Sequence, residues 1–181
     1  MKSGKKRSWL GIIGAVVTGI VLSVPSTLNS TTKKPIIPLP PATSWQWQLS
    51  GTIDTSLDVD MYDIDLFNTP ESVIAELHDK ERIVICYFSA GTWENWRPGK
   101  DKFPKSVIGK TMEDWEDEKW LDIRQITQLA PIMQARLDLA VEKGCDGVEP
   151  DNVDGYTNDT GFPLKYKEQL EYNTWLAEQA H

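Results

Sequence analysis

The stretch CDGVEPDNVDGY, residues 145–156, sets Asp146, Glu149, Asp151 and Asp154 among glycine, valine and proline. Upstream, YDIDLF (residues 62–67) alternates Asp63 and Asp65 with Tyr62, Ile64 and Leu66. A carboxylate in an apolar segment is costly to desolvate unless it is paired, hydrogen-bonded or used. Grouped acids can serve as general acid, base or nucleophile, or accept hydrogen bonds from ligand hydroxyl and amino groups. The competing reading is that these residues lie at strand ends and point into water.

Strand geometry arranges these acids. Successive side chains on a strand point to opposite faces. Tyr62, Ile64 and Leu66 therefore share one face of a strand, and Asp63 and Asp65 share the other. In GVEPDN, Val148 and Pro150 oppose Glu149 and Asp151 in the same way. With the apolar faces against helices, both acid pairs point inward, near the C-terminal strand ends where barrel active sites sit. Acids gathered there repel one another and raise one another's pKa values, so Glu149 is expected to tune Asp151.

Aromatic residues accompany the acids. Seven of the eight tryptophans lie from Trp45 onward, and GTWENWRPG directly follows the apolar run RIVICYFSAG. Aromatic faces stack on the C–H faces of sugars while carboxylates bind their hydroxyls. Trp93, Glu94, Trp96 and Arg97 are read as lip residues, with Tyr87 on the strand below, and Trp45 and Trp120 are assigned to the core. Asp122 and Arg124 of WLDIR are either a structural ion pair or a substrate contact.

The elements needed to position these residues alternate in type. SWQWQLSG, MYDIDLF, RIVICYFSAG and DGVEPDNVD read as strands. TPESVIAELHDK reads as a helix capped by Thr69 with Pro70 at its first position, and PIMQARLDLAVEKG as a helix from Pro131 to Gly144. LKYKEQLEYNTWLAEQAH is a third helix. Such alternation predicts a parallel α/β sheet or barrel. Cys86 and Cys145 sit in strand-like apolar stretches and read as two buried thiols in preference to a disulfide, which is the alternative. There is no Cys/His spacing for a metal, and His78 and His181 suggest no ligand pair, so no cofactor is expected. No glycine-rich phosphate loop follows the first strand, which disfavours a nucleotide-binding fold.

Charge divides the chain. Beyond residue 34 it holds 13 basic and 27 acidic residues, a net of −14. That argues against a nucleic-acid partner, which needs a basic face, and suits a neutral or cationic ligand. The first 34 residues hold six basic groups and no acid, and Leu10 to Val24 is an apolar run. Residues 1–28 therefore read as a secretory signal or an uncleaved membrane anchor, either of which places the domain at the cell surface or outside the cell. Residues 29–44, rich in Pro, Ser and Thr, read as a stiff linker, and residues 45–181 as the folded domain. Asn29 and Asn158 begin glycosylation sequons.

WQWQLSG, YDIDLF, VICYFSAGTWENWR, WLDIR, RLDLAVEKGCDGVEPDNVDGY and EYNTWLA together resemble glycoside hydrolase family 114, from about Trp45 to the last residue. The resemblance implies a (β/α)8 TIM barrel, here its first four strand–helix units. It also implies endo-α-1,4-polygalactosaminidase activity on a cationic, galactosamine-rich polysaccharide; related chains are often labelled α-galactosidases. On this resemblance Asp151 is catalytic. Asp63, Asp65, Tyr87, Glu94, Trp96, Arg97, Glu149, Asn152 and Asp154 are the substrate-binding candidates, with Asn152 and Asp154 orienting Asp151 or holding a sugar hydroxyl. Glycosidases commonly need two carboxyls on opposite sides of the bond, and Glu149 and Asp151 on one strand flank it poorly. The second acid, a Glu, is expected from a later strand, so this chain alone is expected to be inactive. The alternative is a non-catalytic glycan-binding protein of the cell surface.

Overall fold

A computed structural model describes residues 38–181. Its centre is a four-stranded parallel sheet of β1 (Trp45–Gln48), β2 (Met61–Asp65), β3 (Ile83–Ser89) and β7 (Gly147–Asp151), in that spatial order. Helix α1 (Glu71–Asp79) joins β2 to β3, α2 (Ile126–Lys143) precedes β7, and α3 (Tyr166–Ala180) follows it. The connection from β1 to β2 carries no helix, so four parallel strands are served by three helices among the described residues.

Register explains which side chains meet. Trp47, Asp63, Ile85 and Gly147 form one row across the sheet; Asp65, Tyr87 and Glu149 form the next; Ser89 and Asp151 form the last. Residues in register on parallel strands share a face, so Asp63, Asp65, Glu149 and Asp151 all lie on one side. The opposite face presents Tyr62, Ile64, Leu66, Val84, Cys86 and Phe88, which are buried in one cluster with Ile74 and Leu77 of α1, Met133 and Leu137 of α2, and Tyr172 and Leu176 of α3. The alternation read from YDIDLF and GVEPDN is the one the sheet adopts.

Several expectations are corrected. Cys86 and Cys145 form a disulfide rather than two thiols, with their Cα atoms 6.0 Å apart. Cys86 points to the helix side of β3, and Gly144, at a left-handed φ of 85°, turns the chain out of α2 so that Cys145 meets it. Helix α2 begins at Ile126, not at Pro131, which lies inside it. Leu129, Ile132, Met133, Arg136, Leu137 and Ala140 give one buried stripe, while Pro131 is on the exposed side, where water can serve the carbonyl that its missing N–H leaves free. Thr69 is buried before α1, and Pro70 takes the cap position in extended geometry. Trp45 is 56% exposed on edge strand β1 and not in the core, whereas Trp120 is buried as expected.

The sequence reading also lacks a whole subdomain. Between β3 and α2 the chain forms an antiparallel sheet of β4 (Thr92–Glu94), β6 (Trp115–Leu121) and β5 (Ile108–Met112), in that order. Glu94 of β4 pairs directly with Glu118 of β6. After β6, Asp122 is buried and accepts two hydrogen bonds from the Arg124 guanidinium, at 2.7 and 2.8 Å. Of the two readings of WLDIR, the structural ion pair is the one that forms.

Candidate active site

Asp151 ends β7 at the C-terminal edge of the parallel sheet, and the Tyr87 hydroxyl donates to its Oδ2 at 2.9 Å. Burial, followed by the Asp151 charge and that hydrogen bond, pushes the Tyr87 phenol well up, so it stays a neutral donor. The backbone carbonyl of Asp151 accepts from the N–H groups of Ala90 (2.8 Å) and Gly91 (3.2 Å), which ties the end of β7 to the turn after β3. Asn152 then leaves the strand at a left-handed φ of 60°, a region its short polar side chain tolerates. Its Nδ2 donates to Ser89 Oγ at 2.9 Å and Thr92 Oγ1 at 3.3 Å. The fit requires glycine at 91, because a Cβ there would come within 1.8 Å of the Asn152 carbonyl oxygen.

Below Asp151 lie Asp63 and Glu149. Asp63 is 4% exposed, with the Glu149 carboxyl beside it. Its carboxyl is pushed up to about 8, chiefly by burial, then by Glu149 and by the charge of Asp151. Of the acids acting on Asp63, Glu149, across the sheet, outranks Asp151. Trp47, in register with Asp63, is more than half exposed on the same face.

Glu94 and Arg97, read from sequence as lip residues, are instead buried. Arg97 forks onto both oxygens of Asp65, one at 2.9 Å, and its Nε donates to Glu94 Oε1 at 2.8 Å. Arg97 also lies 4.9 Å from the Phe67 ring centroid, and Arg136 approaches Glu94 at 3.8 Å. Burial pushes the Glu94 carboxyl up, while Arg97 and Arg136 pull it back. Asp65 Oδ1 also accepts from the backbone N–H groups of Phe67 (3.0 Å) and Asn68 (2.7 Å), closing the turn after β2. Asp65, Glu94 and Arg97 thus form an internal brace, and Trp96 alone of this group reaches the rim, 47% exposed. Asp154 is also exposed; its part in the described network is a backbone carbonyl that accepts from Thr157 and Asn158.

Glu118 escapes the sequence reading. It is buried on β6, accepts from Thr92 Oγ1 at 2.7 Å, and its carboxyl is pushed up, first by burial and with a contribution from the Asp151 charge. Thr92 in turn contacts Ser89, so one hydroxyl chain links Glu118 to the Asn152 turn. The alternation Glu116, Glu118, Trp120 is the available signal, obscured by the acids on both faces of WEDEKW. Among the described residues no group of three or more His, Cys, Asp and Glu side chains is disposed to hold a metal.

The geometry gathers Asp151, Glu149, Asp63 and Glu118 toward the C-terminal ends of parallel strands, with Tyr87 among them. Carboxyls gathered at the ends of strands are the groups that acid–base cleavage of a glycosidic bond uses. The class this defines is a glycosidase-type α/β domain.

The chain belongs to glycoside hydrolase family GH114, whose model matches residues 26–181. It is similar to the solved Ega3 of Aspergillus fumigatus in complex with galactosamine, at 51% identity, with a TM-score of 0.74, covering 77% of this chain and 55% of that one. The glycoside hydrolase domain of PelA from Pseudomonas aeruginosa shares the fold at 11% identity and a TM-score of 0.55, over 77% and 53% of the two chains. The chain thus spans about half the length of the solved relatives it matches. The comparison with curated proteins found no match.

Proposed function

We propose that this chain supplies the first four strands of a (β/α)8 glycosidase barrel that cleaves an α-linked, galactosamine-rich polysaccharide, with Asp151 as its catalytic carboxylate. The observation that carries the reading is Asp151 itself: a carboxylate at the end of a parallel strand, held by Tyr87 and flanked by further acids. The second catalytic acid, a glutamate, belongs to a strand beyond these four. Glu149, Asn152 and Trp96 contact the sugar, while Asp65, Glu94 and Arg97 brace the site from within. The net charge of −14 beyond residue 34 and the galactosamine bound by the Aspergillus relative support a cationic polymer as the substrate.

The protein works outside the cytosol. The Cys86–Cys145 disulfide supports this, since such bonds persist in oxidising compartments. The apolar segment Leu10–Val24, the reading of residues 1–28 as signal or anchor, and most of the linker lie outside the described residues. Among the described residues no helix is long and apolar enough to cross a membrane.

Binding of galactosamine oligosaccharides, measured against their N-acetylated counterparts, tests the reading. Free-amine oligomers should bind more tightly, and the difference should shrink as salt rises, because exposed charges are screened. Equal affinity for both at low salt would remove the cationic substrate from the account.

A further inference from the structure

Asp63 of β2 and Glu149 of β7 reach each other across the intervening strand β3. Asp63 is in register with Ile85, and Ile85 with Gly147, two residues before Glu149. Both side chains lie on the acid-lined face of the sheet, and Glu149 is the ionisable neighbour that acts most strongly on Asp63. Each also has one buried oxygen, Asp63 Oδ1 and Glu149 Oε2, that no donor among the described residues serves.

Ionised carboxylates are acceptors only, so a proton held by one of the two is what lets it serve the unpartnered oxygen of the other. A counter-cation is not at hand, because Arg97 is already committed to Asp65 and Glu94. The other ionisable groups around the pair are Asp65 of β2, Tyr87 of β3 and Asp151 of β7, which share its face. None of these supplies positive charge. Asp63 is the more enclosed of the two acids, and desolvation favours the neutral form there.

We propose that Asp63 is a positioning residue: it stays protonated, donates its proton in a hydrogen bond to Glu149, and so fixes the Glu149 carboxylate beneath Asp151. Asp63, Glu149 and Asp151 then carry two negative charges between them, and Asp151 keeps its charge beside a neighbour that is held in place. The upward push on Asp63 to about 8 agrees with this arrangement. The functional meaning of the pair rests on the proposed role of Asp151, but the pair itself can be tested without sugar turnover.

Carboxyl-carbon NMR on isotope-labelled full chain, titrated through neutral pH, reads the proton directly. One Asp carboxyl should remain neutral at neutral pH, and its signal should vanish in Asp63→Asn. In Glu149→Gln the same carboxyl should titrate about one pH unit or more lower, since a charged partner has been removed. Asp63→Asn should fold like the wild type, its amide N–H replacing the acid O–H, whereas Asp63→Ala should not hold Glu149. Finding every Asp carboxyl ionised at neutral pH in the wild type would overturn the proposal, whether or not any variant folds. So would a neutral Asp whose titration ignores Glu149→Gln. If the pair behaves as described while Asp151→Asn leaves sugar binding and cleavage untouched, the pair stands and the assignment of Asp151 fails.

Discussion

The Tyr87 hydroxyl donates to Asp151 Oδ2 at 2.9 Å from the adjacent strand, two residues before Ser89, the residue in register with Asp151. Tyr87 is thus the one side chain of β3 that holds the proposed catalytic carboxylate directly. Tyr87→Phe should keep the fold, since the ring remains, and in the protein carrying the later strands it should lower turnover roughly tenfold. That corresponds to about 1.4 kcal/mol, the low end for a hydrogen bond to a charged group. Unchanged kcat/KM with normal thermal stability would show that the hydroxyl does not orient Asp151.

Arg97 is internal, and its loss should be a stability event. Removing it leaves Asp65 and Glu94 buried without their cation. Arg97→Ala should destabilise by about 3–5 kcal/mol, the range for breaking a buried pair. Lysine should not rescue it, because it cannot reproduce the fork onto Asp65. Denaturant midpoints decide the matter; a stable Arg97→Ala with weakened sugar affinity would return Arg97 to the lip.

The disulfide joins residues 59 apart and ties β3 to the start of β7. In the loop-entropy description, a closed loop of about 60 residues stabilises by roughly 4 kcal/mol. A Cys86→Ser, Cys145→Ser double variant should therefore unfold at clearly lower denaturant than the oxidised protein. Equal midpoints for the two would mean that the bridge contributes nothing to stability.

The Asp63 carboxyl fixes a sign for the pH dependence of stability. Its folded value, about 8, lies above its ordinary value of 3.8, so between the two the folded state holds a proton that the unfolded state has released. Stability from this group therefore falls as pH rises through that window, at about 1.4 kcal/mol per pH unit for a full proton. Asp63→Asn should flatten the fall, seen as the difference between the two proteins in urea midpoint against pH. A parallel pair of curves would contradict it.

Periodicity decides what is legible in the sequence. YDIDLF and GVEPDN each alternate with period two, which alone sets their acids on one face, and the strand register agrees. The subdomain from Thr92 to Leu121 is not legible, because β4 has only three residues and WEDEKW carries acids on both faces. Glu118 is lost with it. Arg97 and Glu94 look like surface charge because nothing local reveals that Asp65, 32 residues away from Arg97, closes the brace. The cysteine pairing is hidden for the same reason: proximity across 59 residues is a property of the sheet, not of either segment. The size of Trp45 suggests the core, but β1 is an edge strand and leaves it exposed.

Substitution of Asp151 tests the central claim most directly. Asp151→Asn removes the charge with little change in volume, so far-ultraviolet dichroism and the unfolding midpoint should stay near those of the parent. Measured on galactosamine polymer, in the protein carrying the later strands, turnover should drop at least the ~10²–10⁴-fold typical of a general acid–base group. Reducing-end release within a few fold of the parent, from a normally folded variant, would contradict the account and send the search for the catalytic carboxyl to Glu118 or beyond.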